Sequence, residues 1–275
     1  MTDVATDLGR DEQSTRPRSR APYGLFLPAG LGVLFLLLPI VGLLVRTPWR
    51  QLPALLSGAD VRTALRLSLE TATAATVIAI VLGVPIAWVL ARLRFRGRAL
   101  LRALITLPLV LPPVAGGIAL LLAYGRRGVV GGWLFKAFGI SLPFTTAAVI
   151  VAETFVAMPF LIISVEGSLR GLDVRYDHAA ATLGASRWFT FRHVTLPMLA
   201  PGIAAGAVLC WARALGEFGA TITFAGSYPG TTETMPLQVY LALQSNPDAA
   251  IALSLVLLVV SVAILAGLRE RWLRA

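Results

Sequence analysis

The chain has 275 residues, of which 57% are hydrophobic and 14% are charged, and its mean hydropathy is +0.78. Soluble chains carry about 25% charged residues, so this composition excludes an ordinary soluble domain and indicates a protein that lies in lipid. The net charge of +10 does not indicate nucleic-acid binding, because nearly all of it is arginine at the edges of apolar segments. The single cysteine, Cys210, excludes an internal disulfide.

Six apolar segments are each long enough to cross a bilayer as a helix, which takes about 20 residues. Only helices and closed barrels span lipid, and these segments lack the alternating pattern of barrel strands. We therefore expect an all-α polytopic membrane protein with about six transmembrane helices. The segments are residues 23–45, 63–91, 100–124, 144–168, 199–225 and 249–268.

The placement of arginine predicts the orientation of these helices. With six crossings, the two terminal tails share one side with the second-to-third and fourth-to-fifth connections, and these regions hold most of the arginines. The last loop on the opposite side, residues 226–248, contains no lysine or arginine. The positive-inside rule therefore predicts that both termini are cytoplasmic. Residues 1–20 are polar and charged, and we expect them to be disordered.

One polar stretch between the fourth and fifth segments, HAAATLGASRWFTFRHVTLP at residues 178–197, has an unusual pattern. An alanine-rich run, Gly184 and a second run ending in Leu-Pro predict a helix, a glycine turn and another helix on the cytoplasmic side. The alanines permit close approach of another surface, and three aromatic residues provide an apolar face. These features alone leave two possibilities open: the loop packs against its own bundle, or it docks on another protein.

The stretch resembles the coupling loop of ABC-transporter permeases of the binding-protein-dependent import type. That family's signature is Glu-Ala-Ala, three residues, Gly, nine residues, an aliphatic residue, one more residue and Leu-Pro. Here a histidine stands where the family usually has glutamate, and Asp177, one position earlier, points elsewhere on a helix at about 100° per residue. With every spacing kept, the signature falls on His178, Ala179, Ala180, Gly184, Val194, Leu196 and Pro197.

This resemblance implies a type I ABC importer permease fold and a set of partners. The coupling loop, residues 170–197, would dock on a cytoplasmic ABC ATPase subunit, two copies of which would act on a homodimer of this chain. An extracytoplasmic binding protein would deliver the substrate. The chain has no G-x-x-x-x-G-K-[ST] phosphate loop, and its only lysine, Lys136, lies on the outer side. We therefore expect no catalytic residue, cofactor or metal in this chain, and ATP hydrolysis on a separate subunit.

Three further stretches resemble the molybdate permease subfamily: LGVPIAWVLAR, LPLVLPPVAGGIALLLAYG and GEFGATITFAGSYPGTTETMPLQVY. They imply molybdate import and an extracytoplasmic molybdate-binding protein. Sulfate and thiosulfate permeases have similar segments, and tungstate is nearly isosteric with molybdate, so these substrates stay open as alternatives.

We divide the chain into a tail (1–20), a first transmembrane helix with its outer loop (21–62), a permease transmembrane domain (63–268) and a short cytoplasmic tail (269–275).

The fifth segment carries the main candidate for a translocation path. Arg213 and Glu217 lie four residues apart on one helix face at membrane depth, where charge is costly. Two interpretations stay open: an internal ion pair that stabilises the bundle, or an arginine that adds positive potential to an oxyanion path while the glutamate holds it. Conduction requires weak binding, so we also expect hydroxyl donors, with Thr221 and Thr223 as candidates.

Small and cyclic residues predict features of the helix packing. Gly202 and Gly206 form a G-x-x-x-G pattern, which permits a close helix crossing. Pro112 and Pro113 in the third segment are expected to kink that helix or to leave carbonyl groups unpaired.

Two other classes of protein fit the sequence less well. A membrane-embedded enzyme, such as a lipid transferase, would need clustered acids to hold a metal ion, and the sequence contains no such cluster. An ion-coupled secondary transporter would show paired broken segments in its two halves, and the sequence predicts none.

Overall fold

The computed structural model describes residues 23–173 and 175–272, and within those ranges the chain contains helices and turns but no strand. The tail predicted at residues 1–20 and the last three residues lie outside this description. The chain divides into two units, Met1–Arg46 and Thr47–Ala275.

The first unit contains a 3₁₀ turn, Tyr23–Leu25, followed by helix α1, Phe26–Arg46. Helix α1 has 21 residues, which correspond to about 31 Å and therefore to one crossing of the hydrocarbon core. None of its residues is buried, and its side chains are apolar on every face. A helix that is apolar all round suits a lipid environment.

The second unit begins at Thr47. The unit consists of short connecting helices and longer helices of transmembrane length, with a π-helical stretch, Phe191–Thr195, before α10. Its helices are α2 (Leu52–Leu56), α3 (Ala59–Arg92), α4 (Arg98–Val110), α5 (Pro113–Tyr124), α6 (Gly131–Phe138), α7 (Thr146–Gly171), α8 (Arg175–Thr182), α9 (Arg187–Thr190), α10 (Leu196–Leu215), α11 (Gly219–Phe224), α12 (Met235–Ser245) and α13 (Pro247–Trp272).

Helix α7 is central to the second unit, and both α3 and α10 pack against it. Fully buried alanines along α3 allow this close approach, as small residues do between membrane helices. On α10, a Cβ at Gly206 would lie 3.2 Å from the Leu161 backbone, and a Cβ at Gly202 would overlap the Ser168 side chain. The close crossing predicted from the G-x-x-x-G pattern is confirmed.

Two of the predicted transmembrane segments are broken in the middle. The third is divided between α4 and α5, which meet at 118° around Leu111 and Pro112. Proline has no N–H to donate and disfavours a helical conformation at the preceding residue, so the consecutive prolines end α4. The fifth is divided between α10, which ends at Leu215, and α11, which begins at Gly219. The kink predicted at Pro112 and Pro113 is confirmed, whereas the break after Leu215 was not predicted from the sequence.

The bent pair α4 and α5 crosses the bundle as one unit. Arg102 on α4 forms an ion pair with Glu166 near the end of α7, whereas Leu120 on α5 belongs to the same apolar cluster as Ala148 at the start of α7. These two points on α7 are eighteen residues apart, or about 27 Å, which is close to the thickness of a bilayer core. With the five long apolar helices, the bent pair brings the number of candidate crossings in the described residues to six, as predicted.

The two ends of the second unit differ in composition. We call the end where α3 and α7 finish and α4 begins the arginine-rich side. Asp177 on α8 contacts Arg92 at the end of α3, so the polar stretch predicted between the fourth and fifth segments also lies there. At the opposite side, the hydroxyl of Thr146 at the start of α7 donates to the carbonyl of Thr231 in the loop that follows α11.

Candidate functional site: the two helix breaks and the polar loop

The two helix breaks lie side by side inside the bundle. A Cβ at Gly219, the first residue of α11, would lie only 2.7 Å from Cβ of Pro113, the first residue of α5. A Cβ at Gly117 would overlap the Thr223 hydroxyl and lie 2.8 Å from the Ala220 carbonyl oxygen. Only glycine allows α5 and α11 to approach this closely, so the two glycines bring the breaks together.

Glu217 occupies the break between α10 and α11 and is 1% exposed. One carboxylate oxygen lies 2.6 Å from Nη1 of Arg213, and the other accepts a hydrogen bond from the Ala220 N–H at 2.8 Å. The carboxylate therefore caps α11, whose first N–H groups have no helical partner, while it also neutralises Arg213. The Arg213 side chain is 28% exposed, so part of the guanidinium faces open space.

The two threonines of α11 differ in their hydrogen bonding. The Thr223 hydroxyl donates to the carbonyl oxygens of its own helix, at 2.8 Å to Gly219 and 3.2 Å to Ala220. Thr221 is fully buried, and its hydroxyl has no hydrogen-bond partner among the described residues. A buried hydroxyl without a partner is costly, so Thr221 is the member of this pair whose donor is available to another group.

A second buried acid lies in the interior. Glu153 on α7 is 1% exposed and accepts a hydrogen bond of 2.9 Å from the hydroxyl of Thr71 on α3. Its other carboxylate oxygen has no partner among the described residues. The sequence alone cannot identify this pair, because Thr71 is 82 positions away from Glu153 in the chain.

The loop between α11 and α12 closes the opposite side with a polar network that the sequence did not predict. The Glu233 carboxylate is buried and accepts from the Gln238 amide, and the Met235 N–H donates to the Ser68 hydroxyl of α3 at 2.8 Å. The loop turns at Gly226 and Gly230, whose φ values of 74° and 73° favour glycine. The run GTTET, residues 230–234, was the only signal of this network in the sequence.

The polar loop on the arginine-rich side has the predicted helix, glycine turn and helix. Helix α8 ends in a turn in which the N–H of Gly184 donates to the Ala181 carbonyl and the N–H of Ala185 donates to the Ala180 carbonyl, each at 3.0 Å. Gly184 has φ of 79°, a conformation that residues with a Cβ rarely adopt. The Ser186 hydroxyl then caps α9, so local sequence signals define both helix ends.

A short turn connects α7 to this loop. The Asp173 carboxylate accepts hydrogen bonds from Nε of Arg175 at 2.6 Å and from the Arg175 N–H at 2.9 Å. The side-chain bond, followed by the backbone bond, holds the pKa of Asp173 below its usual range. The carboxylate is therefore charged at neutral pH and stabilises the start of α8.

One face of the loop is fixed to the bundle. Asp177 lies 3.3 Å from Nη2 of Arg92 and accepts from the Thr195 hydroxyl at 3.3 Å. Phe191 packs edge-to-face against Trp88 of α3, with ring centroids 6.3 Å apart. Asp177 therefore contacts the bundle, whereas the adjacent His178 is exposed.

The other face of the loop is open. Leu183, Trp188 and Phe189 are 88%, 69% and 52% exposed. Contiguous exposed apolar side chains of this size mark interaction surfaces. Among the predicted coupling residues, His178, Ala179, Gly184 and Pro197 are exposed, while Ala180, Val194 and Leu196 are half-buried. The loop therefore combines both possibilities left open by the sequence, since one face packs on the bundle and the other is available.

Residues 79–275 match the family described as "Binding-protein-dependent transport system inner membrane component". The chain belongs to this family. It is accordingly a multi-pass component of the inner membrane.

Curated relatives extend over most of the chain. The molybdenum transport system permease protein ModB of Mycobacterium tuberculosis is 51% identical over 93% of this chain and 96% of the relative. The protein of the same name from Escherichia coli is 40% identical over 76% of this chain and 92% of the relative. The sulfate transport system permease protein CysT of Escherichia coli is 38% identical over 88% and 90%.

Solved structures confirm the predicted all-α ABC importer permease fold. A bacterial ABC transporter that imports the acidic polysaccharide alginate has a TM-score of 0.73 at 19% identity, over 92% of this chain and 94% of that chain. The methionine ABC transporter MetNI, in inward-facing conformations, has a TM-score of 0.60 at 17% identity, over 78% and 97%. Both similarities support the fold alone.

Proposed function

We propose that this chain is the transmembrane permease subunit of an ATP-driven ABC importer that moves molybdate across the cytoplasmic membrane. The observation that carries the proposal is the 51% identity to the molybdenum permease of Mycobacterium tuberculosis over almost the full length of both chains. Family membership does not favour the alternative of a membrane-embedded enzyme, because the family is one of transport components.

The polar loop transmits force from ATPase subunits in this proposal. Its exposed apolar face, Leu183, Trp188 and Phe189, supplies the docking surface, and the contacts of Asp177 and Phe191 supply a rigid connection to α3. Such a rigid connection is needed, because a movement of the ATPase must reach the bundle without being absorbed by the loop. Two ATPase copies and a homodimer of this chain complete the assembly.

The helix breaks form part of the translocation path in this proposal. Broken helices at membrane depth are typical of transporter substrate sites, since an irregular backbone is tolerated only beside protein or water. Arg213 supplies positive potential for a divalent oxyanion, and Glu217 keeps the net charge low so that the anion binds weakly and leaves. Thr221 adds a hydroxyl donor, whereas the Thr223 hydroxyl is engaged within α11.

The proposal also assigns the two sides of the membrane and the delivery of molybdate to the permease. The arginine-rich side is cytoplasmic, with both termini, as the positive-inside rule predicts. A molybdate-binding protein docks on the opposite side and carries most of the substrate selectivity. An alginate ABC transporter of similar fold has been solved in complex with a periplasmic protein bound to an alginate pentasaccharide, and that assembly supports the arrangement.

Uptake of labelled molybdate tests the proposal. Cells without their own molybdate system would express this chain with its ATPase and binding protein, and uptake would be measured with and without a large excess of sulfate. We expect ATPase-dependent molybdate uptake that survives the sulfate. Uptake abolished by sulfate would move the chain to the sulfate and thiosulfate importers, which the 38% identity to CysT makes the second candidate. A parallel tungstate competition separates the two isosteric anions.

A further inference from the structure

Two described acids on the arginine-rich side, Glu166 and Asp177, are engaged in ion pairs. Glu166 pairs with both Arg102 and Arg170, and Asp177 pairs with Arg92. Each carboxylate is therefore already engaged. Additional guanidinium groups in this region need an anion from another source.

Such additional groups are present. Arg94, Arg96 and Arg98 between α3 and α4, and Arg187 at the start of α9, form no ion pair with any described residue. In addition, the buried Nε atoms of Arg92 and Arg98 have no hydrogen-bond partner in the described part of the chain. Buried donors on charged groups are costly to leave unpaired, so this surface is incomplete as it stands.

A cavity of about 770 Å³, which Arg92 and Arg187 help to line, lies between the end of α3 and the helices α8 and α9. Trp88 and Arg92 line one wall, and Asp177, Arg187 and Phe191 line the other. The cavity is lined by two guanidinium groups, one carboxylate and the imidazole of His178, so its lining has an excess of positive charge. This charge and the aromatic walls suit a monoanion that is attached to an apolar body.

We propose that this cavity binds the phosphodiester headgroup of an anionic phospholipid such as phosphatidylglycerol. A guanidinium group can donate two parallel hydrogen bonds to the oxygens of one phosphate. Basic pockets on the cytoplasmic side of membrane helices bind anionic headgroups. The neighbouring loop fits the same ligand, because the exposed apolar residues Leu93 and Phe95 alternate with Arg94 and Arg96. Tryptophan at the cavity wall is typical of the bilayer interface.

The cavity lies beside the apolar surface proposed for the ATPase. The exposed apolar residues Leu183, Trp188 and Phe189 do not line it, whereas His178 of the predicted coupling residues does. A lipid in this position would lie between the coupling loop and α3. It would therefore strengthen the connection on which coupling depends. The assignment of the lipid to the cytoplasmic leaflet rests on the proposed function, because that function places the arginine-rich side in the cytoplasm.

Native mass spectrometry of the purified permease–ATPase complex tests the site. The complex would be equilibrated with phosphatidylglycerol or phosphatidylcholine, and bound lipid would be measured for wild type, Arg187→Gln and Arg127→Gln. Each arginine near an anionic headgroup contributes about fivefold in affinity. We expect preferential retention of phosphatidylglycerol, about a fivefold loss in Arg187→Gln and no change in Arg127→Gln, which removes the same charge from the opposite side.

Three results would overturn the proposal. Equal retention of the two lipids would show that the arginines serve only to set the orientation of the protein in the membrane. An equal loss in Arg187→Gln and Arg127→Gln would show a general charge effect. Displacement of phosphatidylglycerol by soluble glycerol phosphate would assign the cavity to a free phosphate. Labelling of Arg96→Cys with a reagent added from one side of the membrane tests separately whether the arginine-rich side is cytoplasmic. The uptake assay tests whether molybdate is the substrate. Failure of the proposed function is therefore distinguishable from failure of the lipid site.

Discussion

Replacing Arg213 with glutamine is expected to destabilise the protein more than replacing Glu217 with glutamine. Glu217 is almost fully buried, so Arg213→Gln leaves its carboxylate with the Ala220 N–H as its one remaining partner among the described residues. In Glu217→Gln the new amide oxygen still accepts from that N–H. The remaining Arg213 is 28% exposed and reaches open space, where its charge costs less.

The magnitudes follow from this asymmetry. Removal of the partner of a buried charge lowers the free energy of unfolding by about 3–5 kcal/mol, which we expect for Arg213→Gln. Loss of one charge-assisted hydrogen bond costs about 1.5–3 kcal/mol, which we expect for Glu217→Gln. The double variant removes both charges, so it is expected to be more stable than Arg213→Gln alone, with a coupling free energy of about 1–3 kcal/mol.

The single cysteine of the chain supplies the assay. Cys210 is completely buried, so a thiol-reactive fluorogenic dye reports unfolding of the purified protein without any labelling mutation. The same variants would be measured for molybdate uptake, corrected for the amount of folded protein in the membrane. If Arg213 faces the path, Arg213→Gln loses more uptake than its folded fraction explains, whereas Glu217→Gln retains the positive charge and much of the uptake.

Two results would refute this reasoning. Equal destabilisation by the two single variants, with no coupling in the double variant, would mean that the ion pair is not buried as described. Full uptake per folded molecule in Arg213→Gln would assign the pair a structural role alone.

Three further substitutions test other parts of the protein. Gly117→Ala places a Cβ against α11 and is expected to lower the free energy of unfolding by about 1–3 kcal/mol in the dye assay. Gly184→Val puts a branched side chain at φ of 79°, which costs about 1–2 kcal/mol locally, and we expect normal membrane insertion but loss of ATP-driven uptake. Asp177→Ala removes the carboxylate that ties α8 to α3, so trypsin is expected to cleave the loop faster and uptake to fall.

Matched controls accompany these variants. Gly167→Ala on α7 has nothing within 4 Å of the new Cβ, and a loss of stability equal to that of Gly117→Ala would contradict the tight contact between α5 and α11. Gly139→Val introduces similar strain, at φ of 68°, on the opposite side. If it abolishes uptake as Gly184→Val does, the strain and not the docking surface is responsible. Unchanged trypsin sensitivity in Asp177→Ala would show that other contacts fix α8.

Much of the architecture is predictable from the sequence alone. Hydropathy over windows of about 20 residues identifies the six crossings, because a bilayer core demands a continuous apolar surface. The helix–glycine–helix loop follows from local turn chemistry, and the pairing of Arg213 with Glu217 follows from the helical repeat. All of these features depend on residues that are near each other in the chain.

The remaining features depend on which helix faces meet, and only the tertiary structure decides that. The prolines predict the break in the third segment, but the break in the fifth was not predicted, and only the packing of Gly117 and Gly219 brings the two breaks together. The contacts of Glu153 with Thr71 and of Asp177 with Arg92 join residues that are far apart in sequence. A side chain's own sequence neighbourhood carries no information about such partners, because they arise from the crossing of separate helices.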